Sequence, residues 1–184
     1  MKKDDILLHT CCAPCVTHVQ DLLSNSYRVV SFYYNPNIHP RGEYEKRLGE
    51  LRRFSSEKGF PVITGEYDVR NWMELVKPHR FEGERSERCR QCIAIRLERS
   101  FVKAREESIG MVGTTLTVSP HKDAAMINAL GKELSRRFGI DFLESDFKKN
   151  DGYRRSAALA RQYGLYRQNY CGCVYSLHDR YRGR

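Results

Sequence analysis

Residues 5–23 read DILLHTCCAPCVTHVQDLL, and this stretch decides the fold class. Its first part, Asp5 to His9, is a short apolar run of the kind that forms a buried strand. Pro14 is tolerated in the first turn of a helix, so we predict a helix from Pro14 to about Leu23. A strand that bends directly into a helix is typical of α/β proteins with a parallel sheet.

The rest of the chain continues the alternation of strands and helices. We predict further strands at 28–33, 60–64, 111–116 and 141–143. We predict further helices at 42–57, 69–76, 92–107, 122–138 and 153–163, and a polar loop at 77–88. This pattern predicts a single compact Rossmann-like α/β domain over residues 1–184, with a parallel sheet flanked by helices. Ligands bind beyond the carboxyl ends of such strands, which places residues 10–12, 35–39 and 117–121 around the expected site.

The composition sets limits on the class of protein. The 184 residues include 32 Lys and Arg against 23 Asp and Glu, a net charge of +9. No stretch approaches the roughly 20 apolar residues that span a bilayer. The run Ile6-Leu7-Leu8 is shorter than a signal-peptide core, which needs about 7–15 apolar residues. We therefore expect a soluble, intracellular protein, and its positive charge favours a polyanionic partner such as nucleic acid.

All seven cysteines fall into three short groups. The groups are Cys11, Cys12 and Cys15, then Cys89 and Cys92, and finally Cys171 and Cys173. Grouped thiols in a reducing compartment are more often metal ligands or redox pairs than structural disulfides. A Cys-x-x-Cys pair at the start of a helix is a common ligand pair, and Arg85, Arg88 and Arg90 beside it would ease the charge of a thiolate cluster.

Two metal sites are compatible with the first two groups. A four-thiolate zinc site would combine Cys12 and Cys15 with Cys89 and Cys92. Alternatively, the side chains of Cys11 and Cys12 should diverge at the strand-to-helix bend and reach two irons of a cubane cluster, which takes four thiolates in total. Both sites remain open on the spacing alone.

The third group, Cys171-Gly172-Cys173, has a different spacing. Side chains two apart on an extended segment point to the same side. A disulfide between them would close a small strained ring, and strained disulfides are the labile, catalytic kind. The alternative is two further metal ligands. No glycine-rich phosphate-binding motif occurs, so ATP or dinucleotide binding has no support in the sequence.

Five ordered motifs resemble the cobalamin-independent epoxyqueuosine reductase family, QueH. They are LLHTCCAPC at 7–15, YNPNIHP at 34–40 with Glu43, Tyr44 and Arg47, RCRQC at 88–92 with Arg96 and Leu97, TTLTVSPHK at 114–122 and LYRQNYCGCVYS at 165–176. The resemblance covers nearly the whole chain and includes every cysteine.

The resemblance implies a cytoplasmic oxidoreductase of queuosine biosynthesis that reduces epoxyqueuosine to queuosine at the wobble position of tRNA anticodons. It implies a [4Fe-4S] cluster on Cys11, Cys12, Cys89 and Cys92, and a redox-active disulfide of Cys171 and Cys173. Cys15 is then left over, and two roles stay open for it: it binds a second iron together with a nearby carboxylate or His, or it is a small buried residue of the helix. The partners would be tRNA carrying epoxyqueuosine and an electron donor that the sequence does not identify.

Two other functions are compatible with the motifs. One is a zinc-stabilised RNA-binding module. The other is a cluster-dependent tRNA sulfur transferase, which would need an ATP-binding loop after the first strand.

Further residues are expected to serve the reaction or bind RNA. The candidate proton donors at the strand ends are Tyr34, His39, Glu43, His121 and Asp146. Tyr33, Tyr34 and Tyr170 are candidates for stacking on bases, since single-stranded RNA is read in that way. Lys122, Arg154 and Arg155 are the expected basic contacts to tRNA.

Overall fold

The computed structural model describes residues 3–182, with side chains except at 179, 180 and 182. The strands are β1 (Asp4–His9), β2 (Tyr27–Tyr33), β3 (Val62–Thr64), β4 (Met111–Thr114) and β5 (Asp141–Phe142). All five are parallel and form one sheet in the order β3-β2-β1-β4-β5. The predicted α/β class and parallel sheet are therefore confirmed.

Helices cover both faces of this sheet. They are α1 (Ala13–Leu23), α2 (Arg41–Lys58), α3 (Val69–Val76), α4 (Glu87–Glu106), α5 (Ala124–Phe138), α6 (Gly152–Gln162) and α7 (Val174–Arg182). Side chains alternate along β1, so Ile6 and Leu8 pack with α1, α2 and α6 on one face. Leu7 points to the other face and packs with α4 and α5.

The central strand β1 positions the site. It pairs with β2 and with β4, and both pairings extend to its last residue, His9. Because the chain proceeds from β1 through β2 to β3 on one side and from β4 to β5 on the other, the end of β1 is the topological switch point of the sheet. Ligands bind at such points in open α/β sheets. The residues that follow β1 are Thr10, Cys11 and Cys12.

Several elements differ from the sequence prediction, and three of these differences concern the region around the site. Helix α4 begins at Glu87 rather than Cys92. Its N-cap residue, Ser86, makes no side-chain capping hydrogen bond, whereas Glu87 adds an acidic side chain that favours the first turn. Strand β4 ends at Thr114 rather than Leu116. The Thr114 hydroxyl accepts a hydrogen bond from the Leu116 amide and starts a 3₁₀ turn, Thr115–Val118. Helix α7 was not predicted.

The expectation that Tyr33 and Tyr34 stack on RNA bases is wrong. Their exposed fractions are 0% and 2%. The Tyr33 hydroxyl donates to the Tyr44 carbonyl at 3.1 Å, and the Tyr34 ring stacks on Phe32. Both tyrosines belong to the core because the two faces of β2 are covered by helices. Among the described helices, none is long and apolar enough to cross a membrane.

Candidate active site

The bend between β1 and α1 brings three thiols together. Cys12 is the N-cap of α1 and has an extended backbone, with φ −170° and ψ 162°. Its sulfur lies 3.7 Å from that of Cys11, so the expected divergence of these two side chains is wrong. Cys15 follows in the first turn of the helix, and the three sulfurs lie within 4.8 Å of one another. Among the side chains that the structure describes, no other group of three or more metal-ligating residues is this close.

Polar groups surround this thiol triad, Cys11, Cys12 and Cys15. The Thr115 hydroxyl lies 3.5 Å from the sulfur of Cys11, and the Gln168 amide donates to the sulfur of Cys12 at 3.0 Å. Hydrogen bonds from the thiols of Cys12 and Cys15 hold the pKa of Cys11 well below its ordinary value. The same bond with Cys11 raises the pKa of Cys12 to about 12. Cys11 is therefore the first of the three to become a thiolate, the form that binds metals.

The other four cysteines line a single open cleft. Cys89 and Cys92 lie in the first turns of α4, where a spacing of three places them on one face of the helix. Cys171 and Cys173 approach from the segment that precedes α7. Burial raises the pKa of Cys89. The structure thus gathers Cys89, Cys92, Cys171 and Cys173, whereas Cys15 stays with Cys11 and Cys12.

Two buried arginines of α4, Arg88 and Arg96, line the same cleft. Each has an exposed fraction of 3%, and they lie four residues to either side of Cys92 on one helical face. No carboxylate lies within 4.0 Å of either guanidinium among the described residues. The Nε and Nη2 atoms of Arg88 and the Nε atom of Arg96 have no hydrogen-bond partner. Buried charge without compensation is costly, so this arrangement favours an anionic ligand in the cleft.

Arg96 connects this cleft to the end of β1. Its Nη2 donates to the Asn35 side chain at 2.6 Å. Burial, followed by the charge of Arg96, lowers the pKa of His9 to about 3. His9 is therefore neutral at physiological pH, and its ring bonds the Thr114 hydroxyl at 3.1 Å. Arg96 thus lines the cleft, and its positive charge also helps to lower the pKa of Cys11.

Gly172 allows the Cys-Gly-Cys segment to dock against the loop after β2. Its φ is +113°, and a Cβ at this position would lie 2.8 Å from Cγ1 of Ile38. Only glycine meets both requirements without strain. The carbonyl of Gly172 accepts a hydrogen bond from the His39 amide at 2.7 Å. Cys171 is exposed and Cys173 is buried, and both are free thiols in this structure.

A buried arginine, Arg47, holds this segment from the side of α2. Its Nε donates to Glu43 at 2.7 Å, and its two Nη groups donate to the carbonyls of Cys171 and Tyr170 at 3.2 and 3.3 Å. The Tyr166 hydroxyl donates to the same Glu43 carboxylate at 3.0 Å. A hydrogen bond from Cys173 lowers the pKa of Cys171 and raises that of Cys173. Cys171 is thus the more readily ionised member of the pair.

The family follows from comparison of the sequence with known proteins. The model of the family described as epoxyqueuosine reductase QueH matches residues 6–179. The chain belongs to this family. A protein named epoxyqueuosine reductase QueH from Thermotoga maritima is 39% identical over 181 residues, which cover 95% of this chain and 91% of that protein. Another of the same name, from Streptococcus pyogenes, is 37% identical over 182 residues, covering 95% and 71%.

Solved structures outside the QueH family share the fold. The U34-tRNA thiolase NcsA from Methanococcus maripaludis, solved with its [4Fe-4S] cluster, has a TM-score of 0.63 at 13% identity. The alignment covers 96% of this chain but only 62% of the thiolase, so the chain spans about three fifths of that protein's length. A predicted subunit of tRNA methyltransferase from Methanocaldococcus jannaschii has a TM-score of 0.54 at 16% identity, covering 86% and 74%. At these identities the likeness shows the fold alone.

The candidate proton donors of this QueH chain occupy different environments. His39 is half-buried, with its ring 5.3 Å from that of Trp72, and burial lowers its pKa. Glu43 is held by Arg47 as described above. Tyr34 lies in the core, and His121 is exposed. Asp146 forms an ion pair with Lys148 at 2.9 Å. Their catalytic roles remain predictions.

The basic residues expected to bind tRNA are spread over the surface. Lys122 lines the cleft, whereas Arg154 and Arg155 are exposed on α6. Tyr170 is half-buried, and its hydroxyl donates to the His39 carbonyl. Sequence reasoning missed Trp72, whose buried indole lines the cleft. It also missed the position of Arg96, although a spacing of four from Cys92 was a usable signal.

Proposed function

We propose that this protein is a cobalamin-independent epoxyqueuosine reductase, which reduces epoxyqueuosine to queuosine at the wobble position of tRNA anticodons. The observation that supports it most is the placement of the cysteines in a QueH-family chain: three thiols lie together at the switch point of the sheet, and the other four line one cleft. Relatives that carry this name align with about 95% of the chain.

The donor set fits a resident [4Fe-4S] cluster. Such clusters take four cysteine thiolates, and a thiolate-bound cluster is an anion that would compensate the buried charges of Arg88 and Arg96, which keep guanidinium nitrogens without hydrogen-bond partners. We assign Cys11, Cys12, Cys89 and Cys92 as its ligands. Cys15 is assigned to a second iron, because its sulfur lies beside those of Cys11 and Cys12. When bound, the cluster supplies single-electron transfer.

The Cys171 and Cys173 pair can supply the two-electron step. Removing the epoxide oxygen as water leaves an alkene and consumes two electrons and two protons. Oxidation of two thiols to a disulfide releases the same two electrons and two protons. An external reductant, either a thiol or an electron-transfer protein, would then restore the thiols. Gly172 supports this assignment, because it gives the short segment the backbone freedom that ring closure needs.

The remaining polar groups of the cleft are suited to holding the substrate. The Nε1 of Trp72 and the Oδ1 of Asn37 line the cleft without hydrogen-bond partners, so one can donate to and the other accept from hydroxyl groups of the substrate. His39 lies beside Trp72 and also has a free Nε2. Since burial lowers its pKa, His39 is neutral at physiological pH and can carry a proton between groups.

The proposed substrate is a cytoplasmic tRNA, which explains the net charge of +9. Lys122 would contact the RNA at the cleft itself. Replacing Lys122, Arg154 and Arg155 by neutral residues should weaken binding and reduce its salt dependence, because fewer counterions are released. The iron content should not change. Salt-independent binding by the unaltered protein would contradict this part of the proposal.

Neither alternative function is favoured. A zinc-stabilised RNA module would not need a cysteine pair outside the metal site, or membership of a reductase family. A sulfur transferase resembling the thiolase would need an ATP-binding loop after β1. In this chain Thr10, Cys11 and Cys12 occupy that place.

The test is an anaerobic turnover assay. Iron-reconstituted protein is mixed with a chemical reductant and tRNA that contains epoxyqueuosine, and the nucleosides are analysed by mass spectrometry. We expect the modified nucleoside to lose one oxygen atom, as epoxyqueuosine is converted to queuosine. Cys171→Ser and Cys173→Ser should stop turnover but retain iron. Cys89→Ser should lose both the iron and the turnover. A colourless, zinc-loaded and fully active protein would refute the proposal.

A further inference from the structure

Phe81 is unusually exposed for a large apolar side chain. Its exposed fraction is 88%, compared with 68% for Tyr181 and 49% for Leu22, the next two among the described residues. Isolated apolar side chains on a surface are common and need no explanation by themselves. Phe81 differs because its loop is fixed in place beside the cleft.

The loop is attached to the cleft by Arg88. The Nη1 group of Arg88 donates to the carbonyls on both sides of Phe81, those of Arg80 at 3.2 Å and of Glu82. The backbone amide of Arg88 donates to the Glu82 carboxylate at 3.3 Å, and the Glu82 amide donates to the carbonyl of His79 at 3.1 Å. Since the Arg88 side chain lines the cleft, the exposed ring is held at a fixed position next to it.

Cationic side chains accompany the ring. The Arg80 guanidinium lies 4.3 Å from the centre of the Phe81 ring. Arg85 is exposed on the same segment, and its Nε donates to the His121 carbonyl at 3.1 Å. Two acidic side chains lie on the same segment, where Glu82 bonds His79 at 2.6 Å and Glu84 accepts a hydrogen bond from the Ser176 hydroxyl at 2.7 Å. Among the described residues, neither Arg80 nor Arg85 forms an ion pair with a carboxylate. An aromatic face flanked by arginines is a surface that single-stranded nucleic acid prefers.

We propose that Phe81 is a stacking platform for an unpaired base of the anticodon loop, with Arg80 and Arg85 binding the adjacent phosphates. This inference rests on the proposed function. A wobble nucleotide that enters a cleft must leave the stack of the loop, which deprives its neighbour of a stacking partner. Phe81, fixed beside that cleft, replaces the lost partner.

The test measures binding of a labelled anticodon stem-loop RNA with guanine at the wobble position, by fluorescence anisotropy at several salt concentrations. Stacking contributes about 1–3 kcal/mol per base, so Phe81→Ala should bind about 5- to 150-fold more weakly. Phe81→Tyr should bind like the unaltered protein. Leu22→Ala, which removes an exposed apolar side chain at the end of α1, is the matched control and should also bind normally.

Two further measurements distinguish stacking from charge. Phe81→Ala should leave the salt dependence unchanged, whereas Arg80→Gln should lower the slope of log K against log salt by about 0.7. When the RNA carries 2-aminopurine beside the wobble position, binding of the unaltered protein should change the 2-aminopurine fluorescence more than binding of Phe81→Ala does. Circular dichroism and iron content should be equal for all variants.

Unchanged RNA affinity in Phe81→Ala would overturn the inference. One such outcome is a variant that binds RNA normally but is reduced more slowly by an electron-donor protein. The Phe81 ring would then be a docking site for that protein and not for a base. If this happens while the unaltered protein still converts epoxyqueuosine, the proposed function stands and the platform alone is wrong. If the unaltered protein neither binds the anticodon RNA nor converts the substrate, both proposals fail.

Discussion

Replacing Arg47 by methionine should release the segment that carries Cys171 and Cys173. Methionine keeps much of the length of the side chain but has no donor for Glu43 or for the carbonyls of Tyr170 and Cys171. The side chains of Arg47 and Glu43 have exposed fractions of only 2% and 11%. The variant therefore leaves a nearly buried carboxylate without its cation.

The cost follows from these partners. Breaking a buried ion pair from one side costs about 3–5 kcal/mol. The Tyr166 hydroxyl still bonds Glu43, and water can reach the exposed Cys171, so we expect a value near the lower end, about 3 kcal/mol. The same helix offers a matched control in Arg41, which pairs with Glu45 at 2.8 Å with both side chains largely exposed. Arg41→Met should leave the free energy of unfolding nearly unchanged, because solvent screens an exposed ion pair.

Urea unfolding gives the free energies of unfolding of the two variants. Reaction of the metal-free, reduced protein with a thiol reagent reports on the buried Cys173, which should react faster in Arg47→Met than in Arg41→Met. The reasoning would be refuted if the two variants unfolded with free energies within about 0.5 kcal/mol of each other and Cys173 reacted equally in both. In that case the hydrogen bonds of Arg47 would not be what positions the segment.

Three further predictions concern iron, acid stability and thiol ionisation. Cys15→Ser should keep about four irons in the cluster and lose only the second iron, as measured by iron and sulfide analysis, whereas complete bleaching would make Cys15 a cluster ligand. Burial lowers the pKa of His39 below 6.5, so the unfolded chain takes up the proton first as pH falls and stability drops below pH 6.5. Between pH 7 and 5, the free energy of unfolding of His39→Gln, measured in urea, should fall less steeply with pH than that of the unaltered protein, by up to about 1.4 kcal/mol per pH unit. Equal pH dependence of the two proteins would exclude this role of His39. Because the pKa of Cys171 is lowered from 9.0, iodoacetamide should modify Cys171 of metal-free protein with a midpoint below pH 9 and before Cys173, as mapped by mass spectrometry, and the reverse order would contradict the structure.

The sequence contained enough information for the strands, the sheet type and the end of the sheet that holds the site. Short apolar runs such as Ile6 to Leu8 alternate with segments of helical periodicity, and this alternation indicates a parallel sheet. Parallel strands bring their carboxyl ends to one edge of the sheet. Cys11, Asn37 and His121 could therefore be assigned to one region although they are far apart in the chain. Helix α7 was missed because it depends on tertiary packing and not on a periodic sequence pattern. Val174 in its first turn packs against the cluster around Trp72.

The details of the site could not be obtained in this way. Whether Arg96 faces solvent or the cleft depends on how α4 rotates against β1, which sequence spacing leaves undetermined. Tyr33 and Tyr34 point to opposite faces of β2, and covering helices bury both. The approach of Cys11 to Cys12 depends on the extended backbone of Cys12, a single pair of dihedral angles that two adjacent cysteines do not encode.

The three cysteine groups leave the ribosome at very different times. About 80 residues separate Cys92 from Cys171, which at roughly 5–20 residues per second is about 4–16 s of synthesis. During that interval the thiols assigned to iron exist in the nascent chain, while the wall formed by Cys171 and Cys173 does not. In the finished protein, the hydrogen bond from the His39 amide to the Gly172 carbonyl holds this wall against the loop after β2. Insertion of iron at the proposed ligands can therefore precede the arrival of Cys171 and Cys173, from the side on which these two residues later stand.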